Sequence, residues 1–136
     1  MKQELQDRFD ALMEDALAGL GKRVEGLLEE IAIVVLDEPD PEMLKDLGID
    51  PKDEEALDEL CGLHTGTALT ERSLSQDADL PTMIHLFRRG IVALAGGWGH
   101  PNADEEIYEE IRITLLHEIG HHFGLDEGDL DELGYG

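Results

Sequence analysis

Residues 102–127 read NADEEIYEEIRITLLHEIGHHFGLDE, and this stretch determines most of what can be inferred about the fold. Apolar residues recur in it every four positions, so on a helix they would form one stripe facing a core. The stripe consists of Ile107, Ile111, Leu115, Ile119 and Phe123. The spacing therefore predicts a long amphipathic helix.

The ends of this helix are predicted from its flanking residues. Asn102 followed by Glu105 resembles a capping box, and acidic residues suit a positive helix N-terminus. Gly124 suits a left-handed residue that ends a helix. We expect the helix to run from about residue 103 to residue 123, the positions between these signals.

Residues 117–121 contain the pattern HExxH as His117, Glu118 and His121. On a helix, two histidines four residues apart project from one face, here a face other than the apolar stripe, and both rings can reach one Zn²⁺ ion. Glu118 follows the first histidine and can accept a proton from water that the metal activates. The pattern therefore predicts a catalytic metal site.

A third ligand is expected after the helix. A left-handed Gly124 would turn the chain back towards the metal and bring Glu127 within reach, while Asp129 and Asp126 are the second and third candidates. Two histidines and one carboxylate leave a fourth position for water, whereas structural zinc sites usually have four protein ligands rich in cysteine. The alternative interpretations are a chance match and a structural metal site. The predicted helix, its final glycine and the nearby carboxylate speak against a chance match. The open fourth position speaks against a structural metal.

The remaining histidines are weaker candidates. His122 falls beside the apolar stripe and is expected to be a packed, hydrogen-bonded core residue. His64, His85 and His100 are isolated in the sequence and are interpreted as surface residues or as residues behind the ligands. His100 could line the mouth of a cleft with Trp98.

Tyr135 and Cys61 are two further side chains of a reactive type. Tyr135 could stabilise an oxyanion, but its position close to residue 136 favours a frayed segment. Cys61 is the only cysteine, so no internal disulfide can form, and we expect the thiol to be buried and inert.

Upstream of the long helix, the pattern predicts alternating helices and strands. Residues 5–20 have helical spacing that ends at glycines, residues 40–60 suggest short surface helices, and β-branched or apolar runs suggest strands. The predicted elements are a helix over 5–20, a buried strand over Ile31–Leu36, a strand or hairpin arm over Cys61–Arg72, a strand over Thr82–Arg88 and a short helix from Ile91 to Ala95.

Length and charge limit the function classes. The 136 residues suffice for one domain, 1–136, with one core. Acidic residues number 33 against 10 Lys plus Arg, and the net charge of -23 would repel nucleic acid and anionic membrane surfaces. No apolar run approaches membrane-spanning length, and the polar residues 1–10 are unlike a signal peptide, so we expect a cytoplasmic protein.

The sequence resembles the minimal zincin-like metallopeptidase domains of bacteria over most of its length. The resemblance rests on HEIGHHFGLDE, on the following DLDELGYG, and on the upstream blocks GLHTGTALTERS and LPTMIHLFRRGI. It implies a compact α+β fold, with a small mixed β-sheet packed on an N-terminal helix and an active-site helix. It also implies zinc held by His117, His121 and Glu127, where the family often has Asp.

The expected function is a zinc-dependent hydrolase of peptide bonds, with Glu118 as general base and a peptide or small protein as substrate. The strand over Thr82–Arg88 is a candidate edge for pairing with an extended peptide. The main alternative is a non-catalytic metal-binding interaction or regulatory module that keeps the site, and Glu118 speaks against it. A third hypothesis is an accessory protein whose acidic surface masks a basic partner.

Overall fold

The computed structural model describes residues 1–29, 31–65 and 83–124, which form helices around a small sheet. The elements follow one another as α1 (Gln3–Ala18), α2 (Gly21–Leu28), β1 (Ala32–Leu36), α3 (Pro41–Leu47), α4 (Glu54–Glu59), β2 (Gly62–Thr65), β3 (Met83–Phe87), α5 (Arg88–Leu94) and α6 (Ala103–Phe123).

The described strands form one mixed sheet in the order β1-β3-β2. β1 pairs with β3 in parallel, with Ala32 opposite Met83, whereas β2 runs antiparallel to β3, with Gly62 opposite Leu86. α6 packs against β2 and β3, and α1 packs against α6. The expected α+β fold, with a small mixed sheet, an N-terminal helix and a long second helix, is confirmed.

The strand predicted over Thr82–Arg88 is confirmed as β3, but its interpretation as a free edge is wrong. β3 is hydrogen-bonded to β1 on one side and to β2 on the other, so no side of it is available to a peptide. The residues from Ile84 to Phe87 are all buried. A strand whose residues are buried on both faces suits the centre of a sheet.

The core is built around the apolar stripe of α6. Ile107, Ile111, Leu115 and Ile119 are at most 1% exposed and belong to one cluster with residues of α1, α2, β3 and α5. At roughly 1.5 to 3 kcal/mol for each fully buried aliphatic side chain, this stripe is a major source of stability. α6 is therefore held along its length.

Both ends of α6 agree with the predicted bounds, but of the two predicted end signals only the C-terminal glycine is confirmed. Gly124 is left-handed (φ 67°, ψ 26°), and its N–H bonds to the carbonyls of Gly120 and His121. Asn102 does not cap the helix through its side chain, so the capping box is wrong. Its backbone (φ -103°, ψ 19°) lies outside the extended region that capping residues adopt. Acidic residues in the first turn and an ion pair from Arg8 to Asp104 stabilise this end instead.

The N-terminal third differs from the prediction in two respects. α1 ends where its glycines predict, but Gly21, with φ 80°, begins a second helix, α2, that the pattern did not reveal. β1 is only partly buried and Ala32 is exposed, contrary to the expected buried strand, because β1 lies on the outside of the described sheet.

The short helices follow the predicted pattern. The side chain of Asp40 caps α3 by accepting a hydrogen bond from the backbone N–H of Met43. The side chain of Asp53 caps α4 by accepting one from the backbone N–H of Ala56. α5 begins at Arg88, directly after β3 and earlier than expected. Within the described part of the chain, no helix combines the length and the apolar character that crossing a membrane requires.

Candidate metal site

His117, Glu118 and His121 lie in the last turns of α6, on the side away from the apolar stripe. The ring centroids of His117 and His121 are 5.4 Å apart, and the ring planes meet at 78°. Two imidazoles that bind one tetrahedral Zn²⁺ through nitrogens about 2.0 to 2.1 Å from the ion have centroids roughly 5 Å apart. The spacing of the two rings therefore fits a shared zinc ion.

Exposure differs sharply between the members of this group. The side chain of His121 is 62% exposed, whereas that of Glu118 is 12% exposed, with Oε2 3.9 Å from Nδ1 of His121. Burial raises the pKa of Glu118, against the opposing effect of the charges of His121 and His117. A carboxylate with a raised pKa accepts a proton more readily than an exposed one.

β2 lies against the same side of α6 and forms the surroundings of Glu118. A Cβ atom placed on Gly62 would lie 2.9 Å from Cγ2 of Thr114 and 3.3 Å from Cγ of Glu118. These contacts are not evident from the sequence, in which Gly62 lies within the segment predicted as a strand or hairpin arm. No signal in the sequence alone identifies the helix on which a glycine packs.

His64 on β2 also contacts α6. Its Nε2 atom lies 3.3 Å from Nδ1 of His122, which is fully buried. The prediction of His122 as a packed, hydrogen-bonded residue is confirmed. His64 thus packs on α6 at His122, the residue that follows the proposed ligand His121.

Two other histidines lie away from this group. His85 is buried in β3, with its ring stacked 6.4 Å from that of Phe87, so it is neither a surface residue nor a ligand candidate. His100 precedes α6 and bonds to the carbonyl of Ala95. At 1.5 Å per helical residue it is about 20 Å from His117, so the idea that it lines the site is wrong.

The candidates for a third ligand, Glu127, Asp129 and Asp126, lie outside the described residues, as does Tyr135. Within residues 1–29, 31–65 and 83–124, no group of three or more His, Cys, Asp or Glu side chains is arranged to hold a metal ion. The described part of the site thus comprises the two imidazoles and the carboxylate of Glu118.

Cys61 lies at the start of β2 beside α6 and is half-buried. Burial and, second to it, the charge of Glu110 raise the pKa of its thiol to about 11, against the opposing effect of a hydrogen bond with Thr114. The thiol is protonated near neutral pH, which agrees with the expected lack of reactivity.

Comparison with known proteins adds a family to this geometry. No curated protein sequence matches the chain significantly. A sequence profile described as zincin-like metallopeptidase matches residues 28–136, a range that includes the sheet, α6 and the HExxH pattern. The chain therefore belongs to the zincin-like metallopeptidase family.

Proposed function

We propose that this protein hydrolyses peptide bonds with a zinc ion held by His117, His121 and Glu127. Membership of the family indicates a zinc-dependent peptidase. The observation that supports this site most strongly is the pair of imidazoles, 5.4 Å apart on one side of α6, with the carboxylate of Glu118 beside them.

Each side chain has a distinct role in the proposed reaction. A zinc ion bound here would supply Lewis-acid chemistry, which polarises a peptide carbonyl and makes water acidic near neutral pH. Glu118 accepts a proton from the attacking water as the new C–O bond forms. It then donates this proton to the amine nitrogen as the C–N bond breaks. His117 and His121 would hold the ion.

An extended peptide is the proposed substrate. β2 is the outer strand of the described sheet on the side of α6, and it lies against Glu118 through Gly62. A peptide aligned beside β2 would lie on the strand that contacts Glu118. The proposed edge for the peptide is therefore β2 and not β3, because β3 is hydrogen-bonded to a strand on each side.

The proposal is tested by replacing Glu118 with Gln. The variant should retain zinc in elemental analysis and lose about 10²- to 10⁴-fold in peptide turnover, because only the proton acceptor is removed. Glu105→Gln is the matched control, since Glu105 is an exposed residue on the same helix, about 20 Å away. Equal turnover by Glu118→Gln and the wild type would overturn the proposed mechanism.

The third ligand is tested by zinc affinity. Loss of a residue that only hydrogen-bonds to a metal ligand weakens metal binding by about 10- to 100-fold. Glu127→Ala should weaken zinc binding by more than this, because it removes a ligand. Asp126→Ala and Asp129→Ala are the matched controls. A larger loss in either of them would transfer the assignment to that residue. Tight zinc binding without any turnover dependent on Glu118 would instead favour the non-catalytic binding module.

A further inference from the structure

Gly62 occupies a position on β2 where a side chain would be crowded by three neighbours. A Cβ atom there would lie 2.9 Å from Cγ2 of Thr114, 3.2 Å from the carbonyl oxygen of His85 and 3.3 Å from Cγ of Glu118. Carbon atoms in favourable contact are about 3.5 to 4.0 Å apart. The backbone of Gly62 is not left-handed, so what this position requires is space rather than a special conformation.

Two of these three neighbours are held in place. The carbonyl of His85 belongs to β3, which is hydrogen-bonded to strands on both sides. Thr114 is 7% exposed, and its β-branched side chain is stiff. The methylene of Glu118 is the neighbour that can move most easily.

The contact with Gly62 therefore bears directly on Glu118. Its side chain is 12% exposed, and its carboxylate is directed to the side of α6 where His121 is exposed. Because Gly62 has no side chain, the Cγ atom of Glu118 can pack close to the backbone of β2. This close packing limits the conformations that the Glu118 side chain can adopt.

We propose that Gly62 is a positioning residue, which keeps the carboxylate of Glu118 in line with the two imidazoles. The inference rests on the proposed role of Glu118 as proton acceptor. A side chain at position 62 displaces the side chain of Glu118, whereas His117 and His121 are not among the nearest neighbours of that position.

Gly62→Ala tests the proposal in the full-length, zinc-loaded protein. We expect kcat to fall by about 10-fold, because a misplacement of about 1 Å can cost about 100-fold and the 3.3 Å contact with Glu118 requires a smaller shift. KM and zinc affinity, the latter measured by competition with a chromophoric chelator, should change little. Gly99→Ala is the matched control, since a Cβ on Gly99 meets no atom within 4 Å.

Two double variants separate positioning from general damage. In the Glu118→Gln background, Gly62→Ala should lower the residual rate no further, because it acts through Glu118. Thr114→Ser removes the methyl group that is closest to position 62, so Gly62→Ala/Thr114→Ser should recover part of the lost kcat. A further fall in the first pair, or a folded second variant with no recovery, would overturn the proposal.

A crystallographic comparison makes the inference independent of turnover. In zinc-loaded crystals of Gly62→Ala, or of Gly62→Ala/Thr114→Ser if the single variant does not fold, the Glu118 carboxylate should be displaced and the two imidazoles unmoved. An unchanged Glu118 contradicts the positioning role. If the wild type hydrolyses no peptide, the proposed function fails, whereas this comparison still decides the role of Gly62.

Discussion

Nε2 of His64 on β2 lies 3.3 Å from Nδ1 of His122 on α6, so a hydrogen bond joins the strand to the helix at the residue that follows His121. The rings are tilted at 50° with centroids 5.4 Å apart. Because His122 is fully buried, loss of this bond leaves a polar atom in the interior.

We expect His64→Ala to lower the free energy of unfolding by about 1 to 3 kcal/mol, measured by urea denaturation. His122→Ala and the double variant complete a cycle. The two substitutions should be less than additive, with a coupling above about 0.5 kcal/mol. Strictly additive losses would show that the bond contributes nothing.

Replacement of Arg88 by lysine should destabilise the fold. Its guanidinium is 12% exposed and bonds to both carboxylate oxygens of Asp10 and, through Nη1, to Asp37 at 2.9 Å. Lysine cannot make these forked contacts, so Arg88→Lys should lower the free energy of unfolding by about 1 to 3 kcal/mol. Arg112→Lys is the control, since its surface pair with Glu109 should contribute at most about 0.5 kcal/mol.

Two glycines should respond to alanine in opposite directions. A Cβ on Gly90 would lie 1.9 Å from the carbonyl oxygen of Leu60, so Gly90→Ala should destabilise the fold by about 3 kcal/mol or more in thermal unfolding. Gly26 lies within α2 with open space around it. Gly26→Ala should stabilise the protein by about 0.5 to 1 kcal/mol. A mild effect at Gly90 would mean that α5 does not pack this closely on Leu60.

The stability of the fold should decrease in mild acid because of His85. Burial lowers the pKa of this histidine, against a weaker opposing effect of Asp40. The unfolded chain therefore takes up the proton first, near pH 6.5, so the contribution is complete above about pH 6.5 and is lost as the pH falls towards the lower pKa of the folded state.

This pH dependence can be measured by urea denaturation at about pH 8 and about pH 5.5. His85→Phe should lose less stability than the wild type between the two conditions, because it removes the group that titrates. An equal loss in both proteins would assign the effect to other groups.

Zinc should stabilise the folded state. A ligand that binds only the folded protein adds about 2.7 kcal/mol to the free energy of unfolding at a concentration 100 times its Kd. His121→Ala should lose this gain, measured as a shift in Tm, whereas His100→Ala should retain it, since His100 lies at the other end of α6. A similar shift in both variants would mean that the ion binds elsewhere.

The sequence predicted α6 to its bounds because a four-residue apolar repeat and a final glycine are local signals that survive folding. α2 was missed because Gly21 was interpreted as the end of α1, whereas a left-handed glycine can also join two helices. The central place of β3 was not predictable either, because strand order depends on pairing between distant segments.

The same distinction applies to the site. His117, Glu118 and His121 are brought together by one helical turn, which spacing alone specifies. Gly62, Thr114 and His64 act through the packing of β2 on α6, and nothing in their local sequence indicates that partner. The third-ligand prediction, Glu127, remains a prediction.

The contrast between a sheltered Glu118 and an exposed His121 has a kinetic consequence. A chelating agent in solution can approach the imidazole side of the helix while the core stays closed. If zinc binds here as proposed, we expect its release to be limited by the breaking of its own coordination bonds, so the apoprotein should be obtained under native conditions rather than by denaturation and refolding.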